Sequence, residues 1–234
     1  MSTQPTLLLV HGAYHRPWVW DRVIEQLPDV DVHTVACPSS GSDLGALGTL
    51  QDDADTVAAA VAAIDGPVVV VAHSYAGSVV TEALAGADNV NRIVYLAAAM
   101  VDEGESLLGS AGGVPPSWWL ISKDEGPEGG VIRVAEDEAK DVFYGDVDPE
   151  LAAEAIEKLV PASYSSQTGP VSRAAWHTIP STYIICTADN AIPPFAQEAM
   201  AQRAKRVHRL DSSHSPFLSM PSELAALLKV ELAS

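Results

Sequence analysis

The run Val68-Val69-Val70-Val71-Ala72 constrains the fold of this chain more than any other feature. It follows Gly66-Pro67, and all of its side chains are apolar, as in a strand that is covered on both faces. Strands of this kind belong to parallel sheets, and parallel strands need crossover connections, usually helices. The run therefore predicts an α/β domain in which strands and helices alternate along the chain.

The rest of the chain shows this alternation. Val57, Val61 and Ile64 are spaced as on one face of a helix. The pattern predicts about six strands of a mostly parallel sheet, over 6–10, 30–35, 68–72, 91–98, 182–186 and 206–210. Helices are predicted over 18–27, 50–64, 79–87, 194–203 and 222–232.

Residues 102–178 interrupt the alternation. The stretch contains Gly112-Gly113, Pro115-Pro116 and a glycine-rich part at 126–130. It has a helix-like part at 149–159 and no strong strand signal. We predict that 1–101 and 179–234 form the α/β core and that 102–178 form a cap, inserted over one edge of the sheet.

Composition excludes several classes of protein. Asp and Glu number 31 against 13 Lys and Arg, a net charge of −18, and 47% of the residues are hydrophobic. So acidic a chain is unsuited to nucleic acid or an anionic membrane, and no apolar run reaches the ~18 residues of a membrane span. Cys37 and Cys186 are too few for a disulfide framework and lack zinc-ligand spacing. Without a secretory signal pattern, a cytoplasmic location is expected.

The stretch Ala72-His73-Ser74-Tyr75-Ala76-Gly77 directly follows the most apolar strand and precedes a helix. It is a variant of the nucleophile elbow, in which a sharp strand-to-helix turn exposes a serine hydroxyl at the edge of the sheet. The turn needs small residues around the serine, and alanine here replaces the two glycines of the strict motif. Ser74 is therefore the candidate nucleophile.

Two later strand ends carry an acid and a histidine. Asp189 follows the strand at 182–186, and His214 lies in the loop after the strand at 206–210. The order serine, acid, histidine is the order in which α/β-hydrolases carry their triad. We expect His214 to accept the proton of Ser74 and Asp189 to orient His214. Asp102 also follows a strand, but we interpret it as structural.

The end of the first strand completes the predicted site. This strand ends in Val10-His11-Gly12-Ala13, at the same edge of the sheet as Ser74. The backbone N–H groups of Ala13 and Tyr75 are the candidate donors to the oxyanion of an acyl-transfer intermediate. His11 is expected to brace the loop rather than act as a base.

These motifs together resemble those of the α/β-hydrolase superfamily, in particular its branch of plant-type methylesterases, hydroxynitrile lyases and bacterial esterases. The resemblance rests on Val10-His11-Gly12-Ala13, His73-Ser74-Tyr75-Ala76-Gly77, Leu96-Ala97-Ala98-Ala99-Met100, Cys186-Thr187-Ala188-Asp189 and Ser213-His214-Ser215. It implies the same triad and oxyanion hole, a cap at 102–178, and no cofactor or metal. Gly12 and Ser215 differ from the Thr and Lys of the lyases, which disfavours lyase activity.

The cap aromatics are expected to shape the pocket, because ligand sites are concave and largely apolar. One or two of Trp118, Trp119, Phe143, Tyr144 and Trp176 are expected to face the ligand. Tyr14 follows the oxyanion loop, and His73 packs in the serine turn. The candidate substrate-binding residues are Tyr14, His73, Trp118, Trp119, Phe143 and Trp176.

The expected activity is hydrolysis of a carboxylic ester of a small to medium apolar molecule through an acyl-enzyme. Two alternatives stay open. The same triad serves lactone hydrolysis, perhydrolysis or a biosynthetic cyclisation. Alternatively, the fold serves as a small-ligand receptor or carrier, although a pure binder has no need of His214 after the last strand.

Overall fold

The computed structural model describes residues 4–234, which form nine strands. They are β1 Thr6–Val10, β2 Val32–Val35, β3 Val68–His73, β4 Val90–Leu96, β5 Trp119–Ser122, β6 Val131–Val134, β7 Ala162–Ser163, β8 Ser181–Cys186 and β9 Arg206–Leu210. Six of them form one parallel sheet in the order β2-β1-β3-β4-β8-β9. The predicted α/β class and the six strands of the parallel sheet are confirmed.

The centre of this sheet is apolar on both faces. Every residue of β1, β3 and β8 is buried, and β1 pairs with β3 from Thr6 opposite Val68 to Val10 opposite Ala72. The edge strands β2 and β9 are mostly exposed or half-buried, since each has a neighbour on one side only. The carboxyl ends of β1, β3, β8 and β9 thus lie along one edge, as parallel pairing requires.

Ten α-helices accompany the strands in the described residues. They are α1 Asp21–Ile24, α2 Leu50–Ala62, α3 Ala76–Ala83, α4 Leu107–Ser110, α5 Glu136–Phe143, α6 Pro149–Glu157, α7 Tyr164–Thr168, α8 Pro194–Ala201, α9 Pro216–Ser219 and α10 Pro221–Leu232. Short 3-10 turns lie at Pro17–Trp20, Leu44–Ala46 and Ala175–His177. Helix α2 begins at a capping box, in which the Thr49 and Asp52 side chains each bond the backbone N–H of the other.

Several predicted bounds differ from the structure, including those of two helices and one strand. The helix expected over 18–27 is a 3-10 turn followed by α1, which ends at Ile24. The helix expected over 79–87 begins at Ala76, directly after the serine turn, and ends before Gly86, whose φ is +85°. The strand expected over 91–98 ends at Leu96, because Ala97 has a φ of +43° and cannot continue a strand.

The sequence analysis predicted no strong strand within 102–178, and this prediction is wrong. Strands β5, β6 and β7 form an antiparallel sheet of their own. Each has at most four residues, and the β5–β6 connection uses Gly126, Gly129 and Gly130 at positive φ. These short strands carry too little alternation to be recognised. The segment contacts the core where Ser163 N donates to Ser39 O at 2.9 Å and Ser163 Oγ to Gly48 O at 2.6 Å. That it forms a separate cap stays a prediction.

Candidate active site

Ser74 lies in a sharp turn between β3 and α3. Its φ is +55°, a left-handed conformation that costs free energy for any residue other than glycine. The turn is held by its own carbonyl, which accepts hydrogen bonds from Gly77 N and Ala99 N, both at 3.0 Å. The structure thus places Ser74 at the carboxyl edge of the sheet, in the strained turn that the sequence predicts.

Two glycines leave room for this turn. A Cβ at Gly77 would lie 2.6 Å from Ala99 O, and a Cβ at Gly12 would lie 2.9 Å from both Ser74 Cβ and His73 Nδ1. Real Cβ atoms do not approach other atoms this closely. The first glycine lets α3 pack on the loop after β4, and the second lets the loop after β1 approach the serine.

Asp189 and His214 form a buried pair. His214 Nδ1 donates to Asp189 Oδ2 at 2.7 Å, and both residues are about 2% exposed or less. The other carboxylate oxygen, Oδ1, accepts from Ala191 N at 2.7 Å and Ile192 N at 2.9 Å. The carboxylate is fully satisfied, so the Nδ1 proton of His214 is fixed and Nε2 is left as the basic nitrogen. Among the described residues, no hydrogen bond joins Ser74 Oγ to His214.

Gln197 is a residue of this site that the sequence analysis missed. Its Nε2 donates to Asp189 Oδ2 at 2.8 Å and to Ile192 O at 2.7 Å, while its Oε1 accepts from Cys186 N at 3.0 Å. The side chain is fully buried. Gln197 therefore ties the end of β8 to the loop that carries the acid. A glutamine inside an ordinary helix gives no signal of this in the sequence.

A cavity of about 450 Å³ opens beside Ser74. Ala13, Ser74 and Tyr75 line it. Neither the Ala13 N–H nor the Tyr75 N–H has a hydrogen-bond partner in residues 4–234. Two free backbone donors next to a serine are the arrangement that an oxyanion requires.

Four of the predicted pocket residues lie at the cavity. They are Tyr14, Trp118, Trp119 and Phe143, so three of the five aromatic residues considered in 102–178 line it, where one or two were expected. The rings of Tyr14 and Phe143 both pack against Trp118, with centroids 5.9 and 5.2 Å away. This cluster forms an apolar wall.

The other two predicted pocket residues lie outside the cavity lining. His73 is fully buried in the turn, where its Nε2 donates to His214 O at 2.8 Å and its ring lies 4.5 Å from that of His214. Trp176 donates from Nε1 to Val101 O at 2.8 Å and packs against Arg203. Both side chains support loops that border the site.

The remaining histidines near the site are neutral braces. His11 Nδ1 donates to Gly12 O and its Nε2 accepts from Cys37 N, which agrees with its expected bracing role. His15 Nδ1 donates to Ala13 O and its Nε2 accepts from Tyr144 OH. Burial lowers the pKa of His11 to about 4 and of His15 to about 3. Neither of them carries a charge at neutral pH. His214 differs from both, because its ring donates to a carboxylate, that of Asp189.

Asp102, the other acid considered, lies in a different contact. Its Oδ1 is 3.0 Å from Nε2 of His177.

Within the described part of the chain, no group of three or more His, Cys, Asp or Glu side chains is arranged to hold a metal ion. No helix there has both the length and the apolar character needed to cross a membrane.

Comparisons with known proteins agree with the fold described above. A family model described as the alpha/beta hydrolase family matches residues 7–227. The alpha/beta hydrolase nvfD of Aspergillus novofumigatus is 30% identical over 97% of this chain and 96% of its own length. Methylesterase 18 of Arabidopsis thaliana is 26% identical over 94% of each chain.

A solved structure has the same fold. The methylesterase MES16 from Arabidopsis superposes with a TM-score of 0.84 at 23% identity, covering 98% of this chain and 99% of its own. The superposition confirms the predicted fold, and the methylesterase relatives confirm the resemblance drawn from the motifs.

Proposed function

Because this chain belongs to the alpha/beta hydrolase family, we propose that it is a serine esterase. It cleaves a carboxylic ester of a small to medium apolar molecule through an acyl-enzyme on Ser74. The observation that carries this proposal is the cavity, which is lined by Ser74, by two residues whose backbone N–H groups have no partner among the described residues, and by Phe143, whose ring lies 5.7 Å from that of His214.

The proposed mechanism uses these groups in turn. His214 Nε2 accepts the proton of Ser74 as Oγ attacks the carbonyl carbon of the ester. The Ala13 and Tyr75 N–H groups bind the oxyanion, and Asp189 stabilises the imidazolium that forms. His214 then protonates the departing alcohol. A water molecule, deprotonated by His214, attacks the acyl-enzyme and releases the acid.

The cavity supports an apolar substrate. Its walls are mainly aromatic and aliphatic side chains, and the one cation among the described residues that line it, Arg203, is paired with Glu105 at 2.8 Å. A volume of about 450 Å³ is within the range of small-molecule sites. Methylesterases 18 and 7 of Arabidopsis thaliana, each 26% identical, support an ester of a small alcohol as the substrate class.

The test is hydrolysis of short p-nitrophenyl esters, together with labelling by a fluorophosphonate probe. Wild type is expected to hydrolyse the esters and to be labelled, whereas Ser74→Ala loses both. Ser78→Ala is the matched control, because Ser78 is buried one turn further along α3 and its Oγ has no partner among the described residues. Equal turnover by wild type and Ser74→Ala would show that the mechanism is wrong. Tight ligand binding without labelling would favour the carrier alternative.

A further inference from the structure

Asp53 is a carboxylate in an unusual place. It lies on α2 with its side chain fully buried, whereas Asp52 and Asp55 on the same helix are exposed. A buried carboxylate is costly unless donors satisfy it. The donors to Asp53 therefore show what it holds in place.

The first donor is the residue that follows the candidate nucleophile. Tyr75 OH donates to Asp53 Oδ2 at 2.7 Å, and the Tyr75 side chain is buried. This same residue lines the cavity beside Ser74, and its backbone N–H has no hydrogen-bond partner among the described residues. Asp53, which lies 22 residues earlier in the chain and is not among the residues that line the cavity, thus holds the Tyr75 side chain in place.

The second donor connects Asp53 to the other side of the site. Ser39 N donates to Asp53 Oδ1 at 2.8 Å. Ser39 belongs to the segment 37–40, called here the clasp, which follows β2. The clasp bonds the loop after β1 on both sides of Ala13: Cys37 N donates to His11 Nε2 at 3.1 Å, and Ser40 Oγ accepts from Tyr14 N at 3.3 Å.

We propose that Asp53 is a positioning residue for the oxyanion hole. Through the Tyr75 hydroxyl and the clasp it sets the relative placement of the two backbone donors, Ala13 N and Tyr75 N. The proposal rests on the proposed function of those donors. Asp53 does not touch the cavity, so it acts only through Tyr75 and the clasp.

This role has a kinetic signature. The donors bind charge that develops in the transition state, so misplacing them slows the chemical step and leaves binding of the neutral ester nearly unchanged. A residue that merely supports the fold has no reason to separate kcat from KM in this way.

The test compares Asp53→Asn and Tyr75→Phe with matched controls. Asp55→Asn makes the same change at an exposed position of α2. Tyr95→Phe removes a buried hydroxyl that bonds only Thr81 among the described residues. Each test variant is expected to lose about 10- to 100-fold in kcat, with KM within about twofold of wild type. Affinity for a trifluoromethyl ketone, which forms an oxyanion on the serine, falls by the same factor.

The double variant tests the connection directly. Asp53→Asn combined with Tyr75→Phe is expected to lose less than the product of the two single losses, because both break the same contact. If Asp53→Asn fails to fold, Tyr75→Phe decides the question alone. Wild-type kcat in Tyr75→Phe, or a rise in KM that accounts for the whole loss, would overturn the proposal.

An activity-independent readout separates this proposal from the proposed function. The backbone amide resonance of Ala13, followed by NMR, is expected to shift in Asp53→Asn and not in Asp55→Asn. If wild type hydrolyses no ester and is not labelled, the proposed function is wrong, and the Ala13 amide still reports on positioning. An unmoved Ala13 amide in Asp53→Asn would overturn the positioning role whatever the activity.

Discussion

The buried Asp53 carboxylate is expected to make the stability of the protein fall as pH rises. Burial raises the pKa of Asp53 from 3.8 to about 6, against the hydrogen bonds from Ser39 and Tyr75, which lower it. The neighbouring charge of Asp52 raises it slightly. In the unfolded chain the pKa of the Asp53 carboxyl returns to its ordinary value, so the folded state holds the proton more tightly than the unfolded state does.

The sign and size of the change in stability follow from this difference in pKa between the folded and unfolded states. Between about pH 4 and 6 the folded protein binds more protons than the unfolded chain, so the contribution of Asp53 is complete below pH 4 and is lost as pH rises through 6. Slightly more than two pKa units at about 1.4 kcal/mol each amount to about 3 kcal/mol. At neutral pH this carboxylate therefore opposes folding by about 3 kcal/mol relative to its protonated form.

Denaturant unfolding of wild type and Asp53→Asn between about pH 4 and 7 measures this effect. The difference in unfolding free energy between the two proteins is expected to change by about 3 kcal/mol over the range, in favour of the variant at higher pH. The hydrogen bonds that Asn gains or loses do not depend on pH, so the slope isolates the ionisation. Asp55→Asn is expected to follow wild type. Parallel curves for wild type and Asp53→Asn would refute the reasoning.

Three further predictions concern other contacts. Gly12→Ala places a Cβ 2.9 Å from Ser74 Cβ. It is expected to lower kcat at least about 10-fold in ester assays, with the protein still folded by circular dichroism; unchanged kcat would contradict it. Gln197→Ala removes a donor to Asp189 and is expected to lower kcat about 10-fold and stability by about 1–3 kcal/mol; an effect on stability alone would leave Gln197 without a role in orienting the acid. Glu231→Ala is expected to cost about 3–5 kcal/mol in denaturant unfolding without changing kcat, because it leaves Arg92 without its buried partner at 3.2 Å. A cost under about 1 kcal/mol would contradict this.

The serine turn and the sheet were predictable because their signals are local. An apolar run, a small-residue turn and a helix follow one another within 68–83, and each occupies consecutive residues. The order of Ser74, Asp189 and His214 adds a long-range constraint, but each of the three also follows a recognisable strand. Parallel topology then brings the strand ends together without further information.

The contacts around the site were not predictable in the same way. Gln197 and Asp53 lie on amphipathic helices whose sequence shows only which residues are polar. Their burial depends on the exact rotation of α8 and α2 against loops far away in the chain. The three strands of 102–178 were missed for a different reason. Each is defined by its pairing with a neighbouring strand and not by alternation within its own sequence.

The end of α5 contacts both loops that carry the acid–histidine pair. Ser213 Oγ donates to Asp146 Oδ1 and lies 3.3 Å from Phe143 O, and the Phe143 ring lies 5.7 Å from that of His214. On the other loop, Asn190 Nδ2 donates to Asp141 O at 2.8 Å. The same part of the chain therefore supports the proposed base and, through Phe143, forms a wall of the cavity.

Substrate exchange does not have to disturb this support. Phe195, at the start of α8, also lines the cavity but is 78% exposed, so it lies where the cavity meets solvent. A substrate that enters past Phe195 reaches Ser74 while the α5 contacts to the loops of Asp189 and His214 stay in place. The proposed cycle needs this, because His214 must keep its orientation while the alcohol leaves and water enters to release the acyl group.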